Sequence, residues 1–246
     1  MLRPAAGRLL LLLLLGCCLP SLLASGEQGS RPLIPFTADY QLTRNGIAVG
    51  QTRVTLQLLP GGGYLYRART EPNAVVSLIR EDLILEESRG RMVNGRPRPD
   101  RYFYQRESSS IQRSLQLDFD WPRKRVQIRD ERSNWRMGIS AETLDKLVQQ
   151  LVFTRELGDK IRTARYRVAD GGRLKDYAYR VLGREPVITP LGRFETLKVD
   201  RTKDRGPPDY TLWLAPELDH RPVRILRRHE GSQYRMELVE FESAGN

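Results

Sequence analysis

Cysteine and histidine are nearly missing from this 246-residue chain, which has two of each. Both cysteines, Cys17 and Cys18, fall within the first eighteen positions and belong to a leader rather than to the folded part. What remains cannot assemble a Cys/His zinc site, and no metal or cofactor is expected. Long apolar runs are equally scarce. Outside the leader none approaches the roughly 20 residues of a spanning helix, so no transmembrane span is expected. Lysine is thin as well, six residues against thirty-five arginines, and the formal charge is +11. A hydrophobic content of 39% with 29% charged residues fits a soluble globular protein and excludes a disordered or multi-spanning one.

Residues 1–26 contain Arg3 and Arg8 but no acid, then seven leucines from Leu9 to Leu15, then small residues up to Gly26. A basic start, a short apolar run and small residues ahead of a polar stretch read as a secretory signal peptide, with export to the periplasm. Two cleavage readings stand. Ordinary signal peptidase would cut after Gly26, leaving Ala-Ser-Gly before Glu27. Alternatively, Leu14-Leu15-Gly16-Cys17 resembles the bacterial lipobox, which would make Cys17 a lipidated N-terminus anchored to the outer membrane. With ordinary cleavage the mature chain has no cysteine, which removes disulfides and thiol catalysis. The leader takes two arginines and no acid with it, so +11 becomes +9. In the cytosol that charge would suggest nucleic acid. After export no nucleic-acid partner is expected, and anionic envelope surfaces such as phospholipid headgroups, lipopolysaccharide phosphates or acidic glycans fit better. The plainer alternative is arginine spread over solvated strand faces, since the arginines form no single run.

Period-two alternation dominates the rest. Leu115, Leu117, Phe119 and Trp121 alternate with Gln116, Asp118 and Asp120, the pattern of a strand with one buried and one wet face. Val54, Leu56 and Leu58 repeat it, as do Tyr64 and Tyr66, Tyr177 and Tyr179, and Leu212 and Leu214. Turn signals such as Asn45-Gly46, Gly61-Gly62-Gly63, Asn94-Gly95, Asp170-Gly171 and Gly231-Ser232 separate the runs. The fold class expected is mainly β, a single large antiparallel meander curled into an open barrel or sandwich.

One segment departs from this rhythm. After Ser140, an expected N-cap, Ala141, Leu144, Leu147, Val148, Leu151 and Val152 follow at spacings of three and four, and Gly158 reads as the stop. The spacing predicts one amphipathic helix over 141–157, its apolar stripe packed on the concave face of the sheet. A weaker helical or irregular piece is expected near Pro72–Ile79. Residues 27–35 read as a flexible lead-in and 36–242 as a single β-rich domain, of a size that can bury roughly 70% of its unfolded surface.

The search for reactive groups finds no constellation. Ser108-Ser109-Ser110 lacks the Gly-x-Ser-x-Gly elbow. His220 beside Asp219 and His229 beside Glu230 are sequence neighbours, which do not make a triad, and read as surface histidines. Glu86-Glu87 and Asp118/Asp120 sit on strands, with nothing to place one carboxyl of a pair in a pocket. Gly61-Gly62-Gly63 has no following Lys-Ser/Thr and no helix, so it is a hairpin turn. No catalytic residue is assigned, and the chain is not expected to be an enzyme. The ligand-binding candidates are the largest apolar groups, Trp121, Trp135 and Trp213, as core or as cleft wall, with Leu147 and Leu151 on the helix.

The order of motifs in the C-terminal half carries a resemblance. Asp145-Lys146-Leu147 and Arg155-Glu156-Leu157-Gly158 are followed by Tyr166-Arg167-Val168-Ala169-Asp170-Gly171. Then come Val187-Ile188-Thr189-Pro190-Leu191-Gly192-Arg193-Phe194, Leu212-Trp213-Leu214-Ala215 and Arg221-Pro222-Val223-Arg224-Ile225. Over residues 35–242 this resembles a widespread bacterial family of exported proteins, domain of unknown function 3108. The Trp213 strand leading into Arg221-Pro222-Val223 is also similar, more loosely, to envelope lipid-handling proteins of the lipoprotein-carrier (LolA/LolB-like) type. Those have an incomplete antiparallel barrel closed by helices over an apolar cavity. That likeness concerns fold, which does not establish function. The family brings no activity and no functional residue to carry over. These readings together point to a non-catalytic periplasmic module that binds an apolar or lipid-like ligand, with an arginine-rich rim meeting an anionic headgroup. The alternatives are a structural or docking protein of the cell envelope with a filled core, and a hydrolase for which no nucleophile–base pair can be named.

Overall fold

Apolar residues facing inward and charged residues facing outward alternate along the strands, and that alternation builds one sheet. The computed structural model describes residues 32–77, 83–108, 112–157 and 161–244. Residues 1–31, Cys17 among them, and also Ser109, Ser110 and Gly158, lie outside the described residues. The chain begins in the middle of the sheet. β1 (Phe36–Arg44) pairs with β2 (Ile47–Leu59), and β3 (Gly63–Pro72), β4 (Leu83–Val93) and β5 (Arg96–Glu107) follow, each antiparallel to the last. β6 (Gln112–Asp120), β7 (Arg125–Asp130) and β8 (Asn134–Gly138) continue outward to one edge. A four-residue helix, α1 (Ala74–Ser77), links β3 to β4.

The chain then crosses to the opposite edge. There β9 (Leu144–Asp145) pairs parallel with β10 (Thr163–Asp170), and α2 (Val148–Glu156) lies between them in sequence. β11 (Arg173–Thr189), β12 (Gly192–Lys203), β13 (Pro208–Ala215), β14 (Arg221–His229) and β15 (Ser232–Ser243) run back antiparallel. β15 closes on the free side of β1, giving one sheet of fifteen strands among the described residues, with β8 and β9 as its edges. The sheet is open, mainly antiparallel and curled, the fold class that the alternation predicts. Asn45-Gly46 and Asn94-Gly95 both hold positive φ at their two central positions, the type I′ geometry whose twist matches a hairpin.

The ends of the sheet meet without pairing. Trp135 on β8 packs on Gly172 in the β10–β11 turn, where a Cβ would stand 2.3 Å from the indole Cζ2. Gly172 also has φ +73, so only glycine satisfies both the space and the backbone. The crossing segment runs through the interior. The carboxylate of Asp145 accepts a 2.5 Å hydrogen bond from Ser88 on β4, while Leu144 beside it pairs with Val168 on β10.

The helix is shorter than its spacing predicts. It begins at Val148: Ala141, expected on its apolar face, is exposed, and Ile139, Leu144 and Leu147 are buried in other conformations. Ser140 does not cap it: the Ser140 hydroxyl and N–H both bond to the Thr143 hydroxyl. Asp145 Oδ1 takes that part instead, accepting from the N–H groups of Leu147 (2.8 Å) and Val148 (2.7 Å). Nor does α2 have a single apolar stripe. Val148, Gln149, Leu151, Val152, Phe153, Thr154 and Arg155 are all buried, so the helix is enclosed on most sides. Enclosure explains the boundary. Ile139, Leu144 and Leu147 each find core whether or not they lie on one helical face, so apolar spacing alone does not mark the start. Leu33, ahead of β1, is buried in the same core.

Candidate functional site

Strands from both halves of the sheet, together with α2 and the residues just before it, enclose a cavity of about 170 Å³. Phe36, Val54, Phe153, Leu212, Ile225 and Met236 supply much of its apolar wall, and Leu147 and Leu151 enter from the helix side. Polar groups reach it as well, among them Tyr66, Lys146, Gln149, Arg201 and Arg221. Strand alternation sends the strand residues among these inward, while Lys146, Leu147, Gln149, Leu151 and Phe153 come from α2 and the segment just before it.

Each of the three cations has an acidic neighbour. Lys146 Nζ lies 2.8 Å from Glu86 Oε1 and over the Tyr104 ring. Burial opposes the Lys146 charge, but Glu86 beside it prevails and holds the ammonium above its ordinary range. Arg201 forms a two-pronged pair with Asp209 at 3.0 and 2.5 Å, between the rings of Tyr177 and Tyr210. Arg221 is only 3% exposed, stands 3.3 Å from Asp219 and sits 4.3 Å from the centroid of Phe36.

Seven tyrosines are buried, and they differ in one respect. Tyr40 donates to the carbonyl of Pro222, Tyr64 shares a bond with Ser88, and Tyr102 donates to Glu86. Tyr166, Tyr177 and Tyr179 donate to Glu156, Asp170 and Gln149. The Tyr66 hydroxyl has no hydrogen-bond partner among the described residues. Burial pushes its phenol up to about 12, while the nearby Arg221 charge acts in the opposite direction. Asp145 is the other displaced group. Fully buried, it is pushed up to about 7 by desolvation, against the opposing pull of its bonds from Ser88, Val148 and Leu147.

Of the residues singled out from sequence, Leu147 and Leu151 line the cavity and the tryptophans do not. Trp121 stacks on Phe119 and donates to the carbonyl of Pro99, with Arg98 over its ring. Trp135 seals the seam at Gly172. Trp213 donates to Glu185 and lies between Lys198 and Arg224. Glu86 and Glu87 turn to opposite faces, Glu86 to Lys146 inside and Glu87 to Arg67 outside. His229 is exposed beside Glu230. Among the described residues no three His, Asp or Glu side chains gather where they could hold a metal ion. Tyr66, Arg221 and Asp145 were not legible as a site from sequence. Tyr66 alternates like any inward strand residue, and Asp145 is one acid in an apolar stretch.

Residues 36–239 match the family described as "Protein of unknown function (DUF3108)", the one the motif order resembles. The chain belongs to the DUF3108 family. This DUF3108 chain is similar to the beta-barrel-like protein of domain of unknown function DUF1849 from Brucella abortus. The TM-score is 0.61 at 11% identity, over 88% of this chain and 100% of that one, which is a likeness of fold alone. A protein of YmcC-like fold from Bacteroides fragilis NCTC 9343, provisionally described as exported, gives a TM-score of 0.34 at 12% identity. That comparison covers 85% of this chain and 94% of the other, and so low a score carries no argument. No curated protein matches the chain.

Proposed function

We propose that this DUF3108 chain is an exported, non-catalytic envelope protein that binds an apolar or lipid-like ligand beneath α2. The observation that carries the proposal is a void of about 170 Å³ at the centre of the fold, walled by Phe36, Phe153, Leu212 and Met236. Interiors are ordinarily packed without voids larger than a water, so a space of this size, apolar over much of its wall, favours an occupant. It is close to the roughly 150 Å³ that accommodates benzene and below the ~300–1,000 Å³ of drug-sized sites. At this volume it accepts a chain of about six to eight carbons. At about 0.8 kcal/mol per methylene, eight buried carbons contribute roughly 6 kcal/mol before the cost of association.

Lipid extraction and mass spectrometry on protein purified from its host, followed by displacement of a fluorescent fatty acid, test the reading. A protein that emerges empty and displaces nothing refutes it. The leader supports export, and labelling cells with a clickable fatty acid separates the two cleavage readings: no incorporation removes lipidation at Cys17. A second reading, docking to an envelope partner, draws on the β11–β12 hairpin tip. Ile188 is 69% exposed and Leu191 41% exposed there, while the tip is held on β14 and β15 by Arg224 and Leu238. Crosslinking in cells that returns one protein and no lipid favours docking.

A further inference from the structure

The seven buried tyrosines set Tyr66 apart, because six of them place the hydroxyl on a protein acceptor and Tyr66 does not. The Tyr66 hydroxyl is not sealed against protein, and a donor left open on a residue otherwise buried is satisfied by what occupies the adjoining space. Tyr66 is 95% removed from solvent, at 5% exposure, yet it borders the cavity. Its neighbours there are already engaged. The hydroxyls of Thr52 and Thr70 bond to each other at 2.8 Å, and Tyr40 is spent on Pro222. The Gln149 side chain accepts from Tyr179 and donates to the carbonyl of Lys146. A positive charge stands close by, that of Arg221, which is paired with Asp219 at 3.3 Å and is the largest charge effect on Tyr66. Arg221 lies over Phe36, and Phe36 packs on Tyr66 with ring centroids 6.3 Å apart. Two acids act on Tyr66 in the opposite sense: Glu86 on β4, paired with Lys146 at 2.8 Å, and Asp145, whose burial favours its neutral form.

We propose that the Tyr66 hydroxyl, in the positive field of Arg221, seats the carboxylate head of a single-chain amphiphile whose apolar chain occupies the cavity beneath α2. The inference rests on the binding function proposed above and adds the headgroup. It also moves the charged contact from an arginine-rich rim to the interior, where a donor facing an anion in low dielectric discriminates strongly.

The test is calorimetric titration of octanoate and of 1-octanol into the full mature chain and into Tyr66→Phe. Octanoate is expected to bind at least about ten-fold more tightly than octanol, the margin of a hydrogen bond to a charged group. Tyr66→Phe should remove that preference and leave octanol binding unchanged. It should also melt no lower than the parent, since no protein partner is lost. Equal affinity for acid and alcohol overturns the headgroup assignment and leaves the cavity reading standing. A preference for octanoate that survives intact in Tyr66→Phe also overturns it. No binding of either probe sinks both readings.

Discussion

Asp145→Asn tests whether the fold keeps a neutral carboxyl where the chain enters α2. The side chain is fully buried, and its carboxyl is pushed from 3.8 up to about 7. Below about pH 4 both folded and unfolded chains hold the proton, and Asp145 adds no pH dependence. Between about pH 4 and pH 7 the unfolded chain has released it while the folded chain keeps it. The folded state then binds more protons, so stability falls as pH rises through that window and levels off above it. Roughly three pH units at 1.36 kcal/mol each give a loss of about 4 kcal/mol. Asparagine keeps an oxygen for the Leu147 and Val148 N–H groups, offers an N–H to Ser88, and cannot ionise. Urea unfolding from about pH 4.5 to about pH 8.5 should find the variant within about 1 kcal/mol of the parent at the acid end. At the alkaline end it should be more stable by up to about 4 kcal/mol. Other carboxylates have the opposite sign. Asp170, held low by Lys175 and Lys203 in spite of its burial, loses stability on acidification, but it is common to both proteins and cancels in the difference. Parallel stability curves for the two proteins, or a variant weaker at alkaline pH, would refute the reasoning.

Leu151→Ala removes a side chain that is 1% exposed on the cavity wall, and urea unfolding should show a loss of about 2–5 kcal/mol. The enlarged space should at the same time favour ten-carbon over eight-carbon ligands in displacement assays. Tyr66→Phe deletes a buried hydroxyl without a protein partner and should be neutral or stabilising by about 1 kcal/mol in thermal melts; a loss of that size would mean the hydroxyl is bonded. Gly90→Ala places a Cβ 2.1 Å from the carbonyl oxygen of Arg98 and 2.8 Å from Pro99 Cα, both backbone, at the β4–β5 bulge. It should cost at least about 2 kcal/mol, read as a lowered melting temperature or loss of soluble protein.

Strand rhythm was legible because one face of each strand is wet. Leu117 and Phe119 are buried while Asp118 and Asp120 are half-exposed, as their alternation implies. The same rhythm cannot say what an inward residue meets. Tyr64 and Tyr66 are two apart on β3 and look identical in sequence, yet Tyr64 finds Ser88 and Tyr66 opens on the cavity. The difference depends on β4 register and on a segment eighty residues away, neither of which is local. The tryptophans mislead for a related reason. Size and apolarity suit a cleft wall, but Trp121 and Trp213 also carry N–H groups, and these are satisfied by Pro99 and Glu185 away from the cavity. The helix starts later than the spacing predicts because apolar spacing records burial, and Ile139, Leu144 and Leu147 are buried without being helical.

The topology itself accounts for a buried acid and a void in the same place. A sheet that starts at its centre grows two arms, and the chain must pass from the tip of one arm to the tip of the other. Passing through the interior exposes its backbone to a core without water, so each N–H there needs a protein acceptor. Lys124 accepts from Ile139 and Ser140 from Thr143, while Leu144 and Asp145 pair with β10. The first turn of α2 has no earlier carbonyl to use, and a side-chain acceptor must be brought in; Asp145 supplies it, in a setting that favours its neutral form. The helix that follows has nine residues and is about 13.5 Å long at 1.5 Å per residue. So short a plug covers only part of a curl made by fifteen strands. The space it leaves unfilled beneath it is the one that Tyr66 borders without a protein partner, which ties the unfilled space and the unsatisfied donor to a single cause.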